Sequence, residues 1–536
     1  MAWTSKSTSK ATDVEMRVRP TSTTDSPPRP KQEDVAIEEL GHKATIPRTL
    51  TSRLGIIGTI STVVCPWPAA LTAASLALYN GGTGGLLIGF IVTSFFMTLV
   101  YYLLAEKLPL CGSRYQPVRP YTAMVLKLAP PKYRRFLSYI CGFVLCFTWE
   151  SYLTSAVWLF GMMISGIVTI WTGHYEVYYT FVPGVFIVCV ATAVNLTWGR
   201  HMNTLEALVL VVQFAAFFLV IVLLAVASGT HTLEASFTFQ SETGWSEWVG
   251  VAIAFSYATA VLGGFDCATH LAEDTANPRE EIPKALLLST TVNSLTCIVV
   301  AILVTFCAGD RNLFTGDLAL SGHPLGAILQ LFYDGARGNK NAACSVFGMC
   351  AIIFGVATIN TTTTSSRMLF ALIRDGRDPI VSKVFAKDLS EEGLPRVCII
   401  LGAVLPLVIL WINFISSVGF QAIVSTTTLA LVGTYFMVFA CSLHSRIYRP
   451  ELLGSARDGF LQPGKALGSA LDIISMIFLF INGLLCCLPF APHPNAQGWN
   501  YAPFMVLAII LIGIAVWFIS ARKYYRPGQG MAAHLN

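Results

Sequence analysis

Apolar runs long enough to cross a membrane recur along the chain from residue 52 onward, and this repetition limits what the chain can fold into. A membrane-spanning helix needs about 20 mainly apolar residues. Of the 536 residues, 54% are hydrophobic and 12% are charged, whereas a soluble domain carries about 25% charged residues. The sequence therefore predicts an all-α, polytopic membrane protein rather than a soluble chain with several cores.

The apolar pattern predicts about 12 transmembrane helices. Their approximate bounds are 52–79, 83–106, 136–170, 177–198, 203–228, 246–272, 285–308, 343–372, 396–414, 418–441, 468–489 and 502–521. The third is longer than a bilayer requires, so we expect it to be tilted or to extend beyond the membrane.

The lysine and arginine residues predict the orientation of these spans. Cytoplasmic loops of membrane proteins carry an excess of both residue types. With both termini in the cytoplasm, all of the 35 lysines and arginines except Arg311, Arg337 and Lys340 fall on that side. An odd number of spans would remove this asymmetry. We expect a multi-pass protein of the plasma membrane, with the vacuolar membrane as the alternative.

Three regions follow from the pattern. Residues 1–50 are rich in Ser, Thr, Pro and charge and lack an apolar core, which predicts a disordered cytoplasmic tail. Residues 51–522 form the transmembrane domain, and residues 523–536 form a short cytoplasmic C-terminal tail. The histidines and cysteines show no metal-ligand spacing, so we predict no metal site and no cofactor.

Two of the spans carry helix-breaking residues near their middle. The first reads "STVVCPWPAALTAAS", with Pro66 and Pro68 on either side of a tryptophan. A proline removes a backbone donor and clashes with the preceding turn. The sixth reads "AFSYATAVLGGFDCATHLAE", with Gly263 and Gly264; the alternative for this pair is a close packing contact between helices. We predict that both helices are interrupted.

The positions of the two breaks predict a LeuT-like fold of two inverted five-helix repeats, because the breaks lie five spans apart. Backbone groups freed at membrane depth are tolerated where they line a cavity. Half-helix N-termini favour anions and C-termini favour cations. We therefore predict that the carboxylate of a substrate binds near Pro68–Ala70 and that its ammonium group binds near Tyr257–Ala260. The predicted substrate-binding residues are Cys65, Pro66, Trp67, Ala69, Ala70, Tyr257, Thr259, Ala260, Gly263 and Gly264.

Three segments carry a resemblance to a known family: "LAPPKYRRFLSYICGF" (128–143), "GGFDCATHLAEDTANPREEIPKAL" (263–286) and "TTTTSSRMLFALIRDGRDP" (361–379). They resemble the fungal amino acid/choline transporter family of the amino acid–polyamine–organocation superfamily, which includes γ-aminobutyrate and choline permeases. The resemblance implies a secondary active transporter that takes up a small cationic or zwitterionic nitrogen compound together with protons. It covers nearly the whole chain after residue 50.

The chain departs from the family's pattern close to the expected site. The departures are "CPWPAA" (65–70), "KLPLCGSRYQPV" (107–118) and an acid in "FTWESYL" (147–153). They leave the substrate open among amino acids, γ-aminobutyrate, choline and polyamines. An amino acid or a related compound is the first interpretation, and a choline or polyamine permease is the alternative.

Glu150 lies near the centre of the third span. A carboxylate is costly to bury at this depth, so its presence suggests a functional role. It is our candidate for the coupling-proton site, or for the partner of a substrate ammonium. The alternative is a structural acid that is hydrogen-bonded between helices.

Asp266, His270 and Glu273 are spaced to share one face of the sixth helix, at its predicted cytoplasmic end. We interpret them as an inner gate, and the alternative is a structural helix-end motif. Trp67, Phe255 and Tyr257 lie near the breaks and could cap a cationic substrate or serve in ordinary packing.

Other classes of function are less compatible with the sequence. An enzyme would need His, Asp or Ser residues clustered on one face, and the sequence shows no such cluster. The lysines and arginines follow the membrane topology, so they do not indicate nucleic-acid binding. The expected partners are the small-molecule substrate, the proton and the lipid bilayer. A non-transporting nutrient sensor on the same fold is the remaining alternative.

Overall fold

The structure is a computed structural model that describes residues 53–108, 120–198, 202–227, 237–270, 278–308, 313–376, 395–415, 419–454, 463–495 and 498–525. The regular elements among these residues are helices. The long ones are Arg53–Val64, Pro66–Lys107, Arg134–Thr172, Tyr178–Thr197, Met202–Ala227, Glu247–Leu262, Pro278–Ala308, Lys340–Gly376, Arg396–Ile415, Gly419–Tyr448, Lys465–Leu485 and Ala502–Val516. The last continues through Trp517–Ala521 to Arg522–Tyr524. Shorter helices are Pro120–Leu128, Cys267–His270, Ala319–Ser321, Gly326–Gly335 and Glu451–Gly454.

The described helices match the predicted spans. Eight are long and apolar enough to cross a membrane, and three shorter apolar helices accompany them. One of the eight, Gly55–Lys107, holds two successive spans, because the chain turns at Gly82 with φ 65° and ψ −169°. The residues of the predicted N-terminal tail, and those after 525 in the predicted C-terminal tail, lie outside the described residues.

The helices pack in two groups. Pro66–Lys107, which contains the second half of the first span and all of the second, packs along the sixth and seventh spans. The third span packs along the eighth, and the fourth and ninth join that pair. Both interrupted helices therefore belong to the first group and face the second group.

The first span is interrupted at Cys65, which adopts a left-handed conformation with φ 47° and ψ 53°. Pro66 then begins the next helix, where the fixed φ of proline suits the first turn. The interruption leaves polar groups at the end of the first half-helix, and amides from three other spans contact them. Gln213 donates to the Ser61 carbonyl at 3.1 Å, Asn293 to the Ser61 hydroxyl at 3.0 Å, and Asn360 to the Thr62 hydroxyl at 2.7 Å.

The sixth span is interrupted at Gly263 and Gly264, and Gly264 has φ +93°. Tyrosine hydroxyls meet the freed backbone here. Tyr101 donates to the Leu262 carbonyl at 3.0 Å and lies 3.3 Å from the Phe265 N–H. Tyr152 donates to the Gly263 carbonyl at 3.4 Å. The predicted interruption of both helices is thus confirmed.

Four buried charged residues form an ion network where the second, tenth and eleventh spans meet. Lys107 Nζ lies 3.0 Å from Asp472 Oδ1 and 3.2 Å from Glu106 Oε2. Arg446 lies 2.7 Å from Glu106 and 2.8 Å from Asp472. All four side chains are at most 7% exposed. Two cations and two anions therefore neutralise each other away from solvent.

The helix ends near this network define the basic end of the bundle. Arg135 donates to the Tyr525 carbonyl at 2.6 Å, and Arg449 donates to the Leu128 carbonyl at 2.6 Å. These contacts bring the start of the third span and the ends of the tenth and twelfth spans together at the end that holds Lys107. The opposite end is called the far end.

A hydrogen-bond chain around His323 holds a loop against the third span at the far end. Leu325 N–H donates to His323 Nδ1 at 3.0 Å, and His323 Nε2 lies 2.9 Å from the Ser165 hydroxyl. Thr180 donates to the same hydroxyl at 3.0 Å, and Tyr175 lies 3.1 Å from Thr180. Because Nδ1 accepts a hydrogen bond, the imidazole is neutral and Nε2–H donates. Burial lowers the pKa of His323 to about 3.

We expect Lys107→Met to destabilise the protein strongly, because removal of one partner leaves a buried charge uncompensated, at a cost of about 3–5 kcal/mol. The measurement is the midpoint of thermal unfolding in detergent. Lys284→Met is the control, since Lys284 and Glu280 lie 3.9 Å apart with side chains 38% and 75% exposed. Equal midpoints for the two variants would show that the network does not stabilise the fold.

The His323 chain predicts a loss of stability in acid. An unfolded histidine takes up a proton at about pH 6.5, whereas folded His323 does so near pH 3. Between these values the unfolded state binds more protons, so the contribution of His323 is complete above about pH 6.5 and falls as pH decreases. We expect His323→Gln to flatten the decline of the unfolding midpoint with acidification. The exposed His174→Gln is the control, and curves parallel to wild type for both variants would contradict the assignment.

Candidate functional site

A cavity of about 330 Å³ lies between the two groups of helices and reaches both breaks. Val63 and Val64, at the end of the first half-helix, form part of its wall. Ala260 and Val261, close to the end of the first half of the sixth span, form another part. The cavity therefore lies where the inverted-repeat argument places the substrate.

Further parts of the wall come from the third, eighth and tenth spans and from loops of the far end. The third span contributes Tyr152, Ser155, Ala156, Trp158, Leu159 and Met162. The eighth contributes Phe354 and Ala357, and the tenth contributes Val424, Ser425, Thr427 and Thr428. Far-end loops contribute Tyr175, Val177, Gly322, Pro324, Leu325, Leu488 and Asn500. The lining thus extends from the breaks toward the far end.

The chemistry of the wall is apolar and aromatic. The described lining residues include no Asp, Glu, Lys, Arg or His. Its aromatic members are Tyr152, Trp158, Tyr175, Tyr257 and Phe354. Small-molecule sites are concave and mostly apolar, with a few polar groups that fix orientation, and the cavity has this character.

Several lining hydroxyls donate their hydrogens within their own helices. Thr72 donates to the Ala69 carbonyl at 2.7 Å, and Ser155 donates to the Ser151 carbonyl at 3.0 Å. Ser256, Thr427 and Thr428 make equivalent bonds of 2.7–2.8 Å. The oxygens of these hydroxyls can accept a hydrogen bond from a ligand, whereas their hydrogens are already donated to backbone carbonyls.

Three of the ten predicted substrate-binding residues line the cavity: Ala69, Tyr257 and Ala260. Tyr257 also accepts a hydrogen bond from Asn80 at 3.1 Å. The other predicted residues lie at the breaks or behind the wall, and they are Cys65, Pro66, Trp67, Ala70, Thr259, Gly263 and Gly264.

Two examples show what these other residues contact. The Thr259 hydroxyl donates to Asn482 Oδ1 of the eleventh span at 2.7 Å. The Trp67 ring is 1% exposed and packs against Phe217 with ring centroids 6.0 Å apart. Neither side chain forms part of the described lining, and Phe255 is also absent from it.

Glu150 is 6% exposed but lies outside the cavity. Ser365 of the eighth span donates to its Oε1 at 2.5 Å. A β-carbon added to Gly402 of the ninth span would lie 3.3 Å from the same oxygen, so the carboxyl group lies between the third, eighth and ninth spans. Glu150 is therefore not part of the described cavity lining.

Asp266 and His270 lie beneath the break of the sixth span, on the side of the basic end. Asp266 is fully buried, accepts a hydrogen bond from Tyr435, and lies 3.2 Å from His270 Nε2. Tyr121 and Trp149 pack against the His270 ring, with centroids 5.6 Å and 5.2 Å away. Glu273, the third residue of the predicted gate, lies outside the described residues. The polar cluster therefore lies between the break of the sixth span and the basic end of the bundle.

Several lining residues were not singled out in the sequence, among them Tyr152, Ser155, Trp158 and Phe354. Tyr152, Ser155, Ala156 and Leu159 follow the i, i+3, i+4, i+7 spacing of one helix face. Ordinary packing between helices produces the same spacing, so the pattern alone could not have identified a cavity wall.

Comparisons with known proteins agree with this architecture. The family model for amino acid permeases matches residues 52–515. A polyamine transporter of Saccharomyces cerevisiae is 22% identical over 92% of this chain and 79% of its own. A choline transporter of the same organism is 24% identical over 86% of this chain and 79% of its own.

Among solved structures, a manganese transporter of Eremococcus coleocola aligns with a TM-score of 0.54 and 13% identity. The alignment covers 89% of this chain and 99% of that one, which supports the fold alone. The predicted LeuT-like all-α fold with interrupted first and sixth helices is confirmed. The match over residues 52–515 shows that the chain belongs to the amino acid permease family, whose members are multi-pass membrane transporters and not enzymes.

Proposed function

We propose that the protein is a secondary active transporter that takes up an amino acid or a related small nitrogen compound together with protons. The observation that carries the proposal is the cavity that lies beside both helix breaks, with the buried Asp266 cluster on the side of the basic end. Alternating access requires a central site that opens to one side at a time. A cavity that extends from the breaks to loops of the far end fits a state in which the site opens to that end.

The distribution of basic residues supports a cytoplasmic basic end, with both termini on that side. The far end, to which the cavity extends, then faces the outside of the cell. A transporter that takes up its substrate must open to the outside before the substrate binds. We propose the plasma membrane as the location, with the vacuolar membrane as the alternative. A choline or polyamine permease remains an alternative, and the similarity to one choline transporter and one polyamine transporter supports keeping both.

Within this proposal, Ala69, Tyr257 and Ala260 contact the substrate directly. The other predicted residues shape the backbone around the substrate. They are Cys65, Pro66, Trp67 and Ala70 at the first break, and Thr259, Gly263 and Gly264 at the break of the sixth span. Asp266 and His270, with Glu273 outside the described residues, act as the inner gate. Glu150 carries the coupling proton, because it is buried, accepts only the Ser365 hydroxyl on one oxygen, and has no partner on Oε2 among the described residues.

We expect proteoliposomes that contain the purified protein to accumulate a labelled compound when an inward proton gradient is imposed. The panel is a neutral amino acid, γ-aminobutyrate, choline and putrescine. Glu150→Gln should retain substrate binding and lose the dependence of uptake on the gradient, since glutamine cannot exchange a proton. Full gradient-driven accumulation by Glu150→Gln would remove Glu150 from the mechanism. Binding without accumulation of any compound would favour the nutrient-sensor alternative.

We expect Tyr435→Phe to lower the maximal uptake rate several-fold while Km changes little, because the variant removes the hydrogen bond to Asp266 without touching the cavity. The control is Tyr133→Phe, at a tyrosine that is 51% exposed. Initial rates over a range of substrate concentrations in proteoliposomes provide the measurement. A changed substrate preference at an unchanged rate would show that this cluster contacts the substrate instead of gating it.

A further inference from the structure

Basic side chains gather at one place on the basic end, where the third span begins and the twelfth span ends. They are exposed, and together they are called the basic rim: Lys132, Arg134, Arg135, Arg522 and Lys523. We propose that the basic rim binds the headgroup of an anionic phospholipid of the cytoplasmic leaflet, with phosphatidylserine as the representative. This site lies outside the cavity lining, and it does not depend on which substrate the protein carries.

Contacts between the two helix ends hold the basic rim together. Arg135 donates to the carbonyls of Arg522 and Tyr525, at 3.4 Å and 2.6 Å. The hydroxyls of Ser138 and Tyr525 lie 3.0 Å apart. The Tyr139 and Tyr525 rings pack edge to face with centroids 5.2 Å apart, and Tyr525 is fully buried. The cations of the third span are therefore fixed beside those of the twelfth.

The basic rim has no acidic residues to balance its charge. Residues 120–138 and 510–525 contain no Asp or Glu. Within the described part of the chain, no carboxylate forms an ion pair with the basic rim, and this includes Glu451 of the neighbouring short helix. By contrast, Lys284 lies 3.9 Å from Glu280 at the start of the seventh span. Like charges held together repel each other, so the basic rim is stabilised when an anion binds.

Membrane topology and helix capping explain only part of this arrangement. Topology places cations at the cytoplasmic end in general, and Arg135 caps the last carbonyls of the twelfth span. The side chains of Arg134 and Arg522 make no hydrogen bond or ion pair with any described residue. Their charges are therefore available to a ligand from outside the chain.

Neighbouring side chains place the basic rim at the level of the lipid headgroups. Phe518 and Ile519, about one turn before the end of the twelfth span, are 64% and 84% exposed, which suits contact with lipid tails. Tyr133 is 51% exposed, and tyrosine is enriched where a membrane meets water. Basic clusters beside the cytoplasmic ends of spans bind anionic headgroups. Cations next to exposed apolar side chains thus match the two parts of an anionic phospholipid.

The test measures lipid binding directly. Native mass spectrometry of the full-length protein in detergent, titrated with phosphatidylserine or phosphatidylcholine, gives the Kd of the first lipid bound. We expect phosphatidylserine, which carries a net negative charge, to bind at least about tenfold more tightly than phosphatidylcholine. Arg134→Gln combined with Arg522→Gln should raise the Kd of phosphatidylserine about 25-fold, since each cation contributes about fivefold. The Kd of phosphatidylcholine should stay unchanged.

The matched control removes two other exposed cations from the same end. It combines Arg396→Gln with Lys465→Gln, at the starts of the ninth and eleventh spans, and it should bind phosphatidylserine as wild type does. The unfolding midpoint without added lipid should be the same for wild type and both double variants. If the midpoint of the rim variant falls, Lys523→Gln alone replaces it, with an expected rise in Kd of about fivefold.

Three outcomes would overturn the inference. The first is equal binding of the two lipids by wild type. The second is an equal loss of phosphatidylserine binding in the control variant, because the whole basic end would then attract the lipid. The third is displacement of phosphatidylserine by inorganic phosphate, which would show an anion site that does not recognise a lipid. Each of these outcomes leaves the proposed transport function intact, since accumulation in proteoliposomes tests that function separately.

Discussion

A transmembrane helix can be interrupted only where other groups satisfy the backbone that the interruption exposes, and this requirement organises the whole bundle. At Cys65 the polar groups at the end of the half-helix are met by Gln213, Asn293 and Asn360, from the fifth, seventh and eighth spans. At Gly263 and Gly264 the partners are tyrosine hydroxyls from the second and third spans. Each break therefore fixes the position of several helices, and the cavity is the space that these contacts leave open.

The partners of the two breaks differ in kind: amide side chains at the first and tyrosine hydroxyls at the sixth. Amides surround the end of the first half-helix and hold it against its neighbours. Beneath the sixth-span break, Tyr101 contacts Tyr435, which in turn donates to Asp266 beside His270 in a compact buried cluster. Tyr101 contacts both the break and Tyr435, so one side chain joins the backbone beside the cavity to the cluster.

The sequence was informative where a residue type has one structural consequence. Two prolines beside Cys65 and two adjacent glycines were sufficient to locate both breaks, and hydropathy located the spans to within a few residues in most cases. The seventh span is an exception, because its helix begins at Pro278 whereas the apolar run begins near residue 285. The sequence did not identify most of the residues that line the cavity. Whether Tyr152 or Thr259 faces the cavity depends on helix rotation, and Thr259 turns to Asn482 instead.

The ion network of Glu106, Lys107, Arg446 and Asp472 has a consequence for the electrical behaviour of the transport cycle. Moving a net charge through the membrane potential requires about 2.3 kcal/mol per elementary charge for each 100 mV. Two positive and two negative groups in one buried cluster carry no net charge. When the second, tenth and eleventh spans move together, the membrane potential therefore does no net work on this cluster. Voltage dependence of transport must then come from the substrate, the coupling ion or ionisable groups elsewhere in the protein.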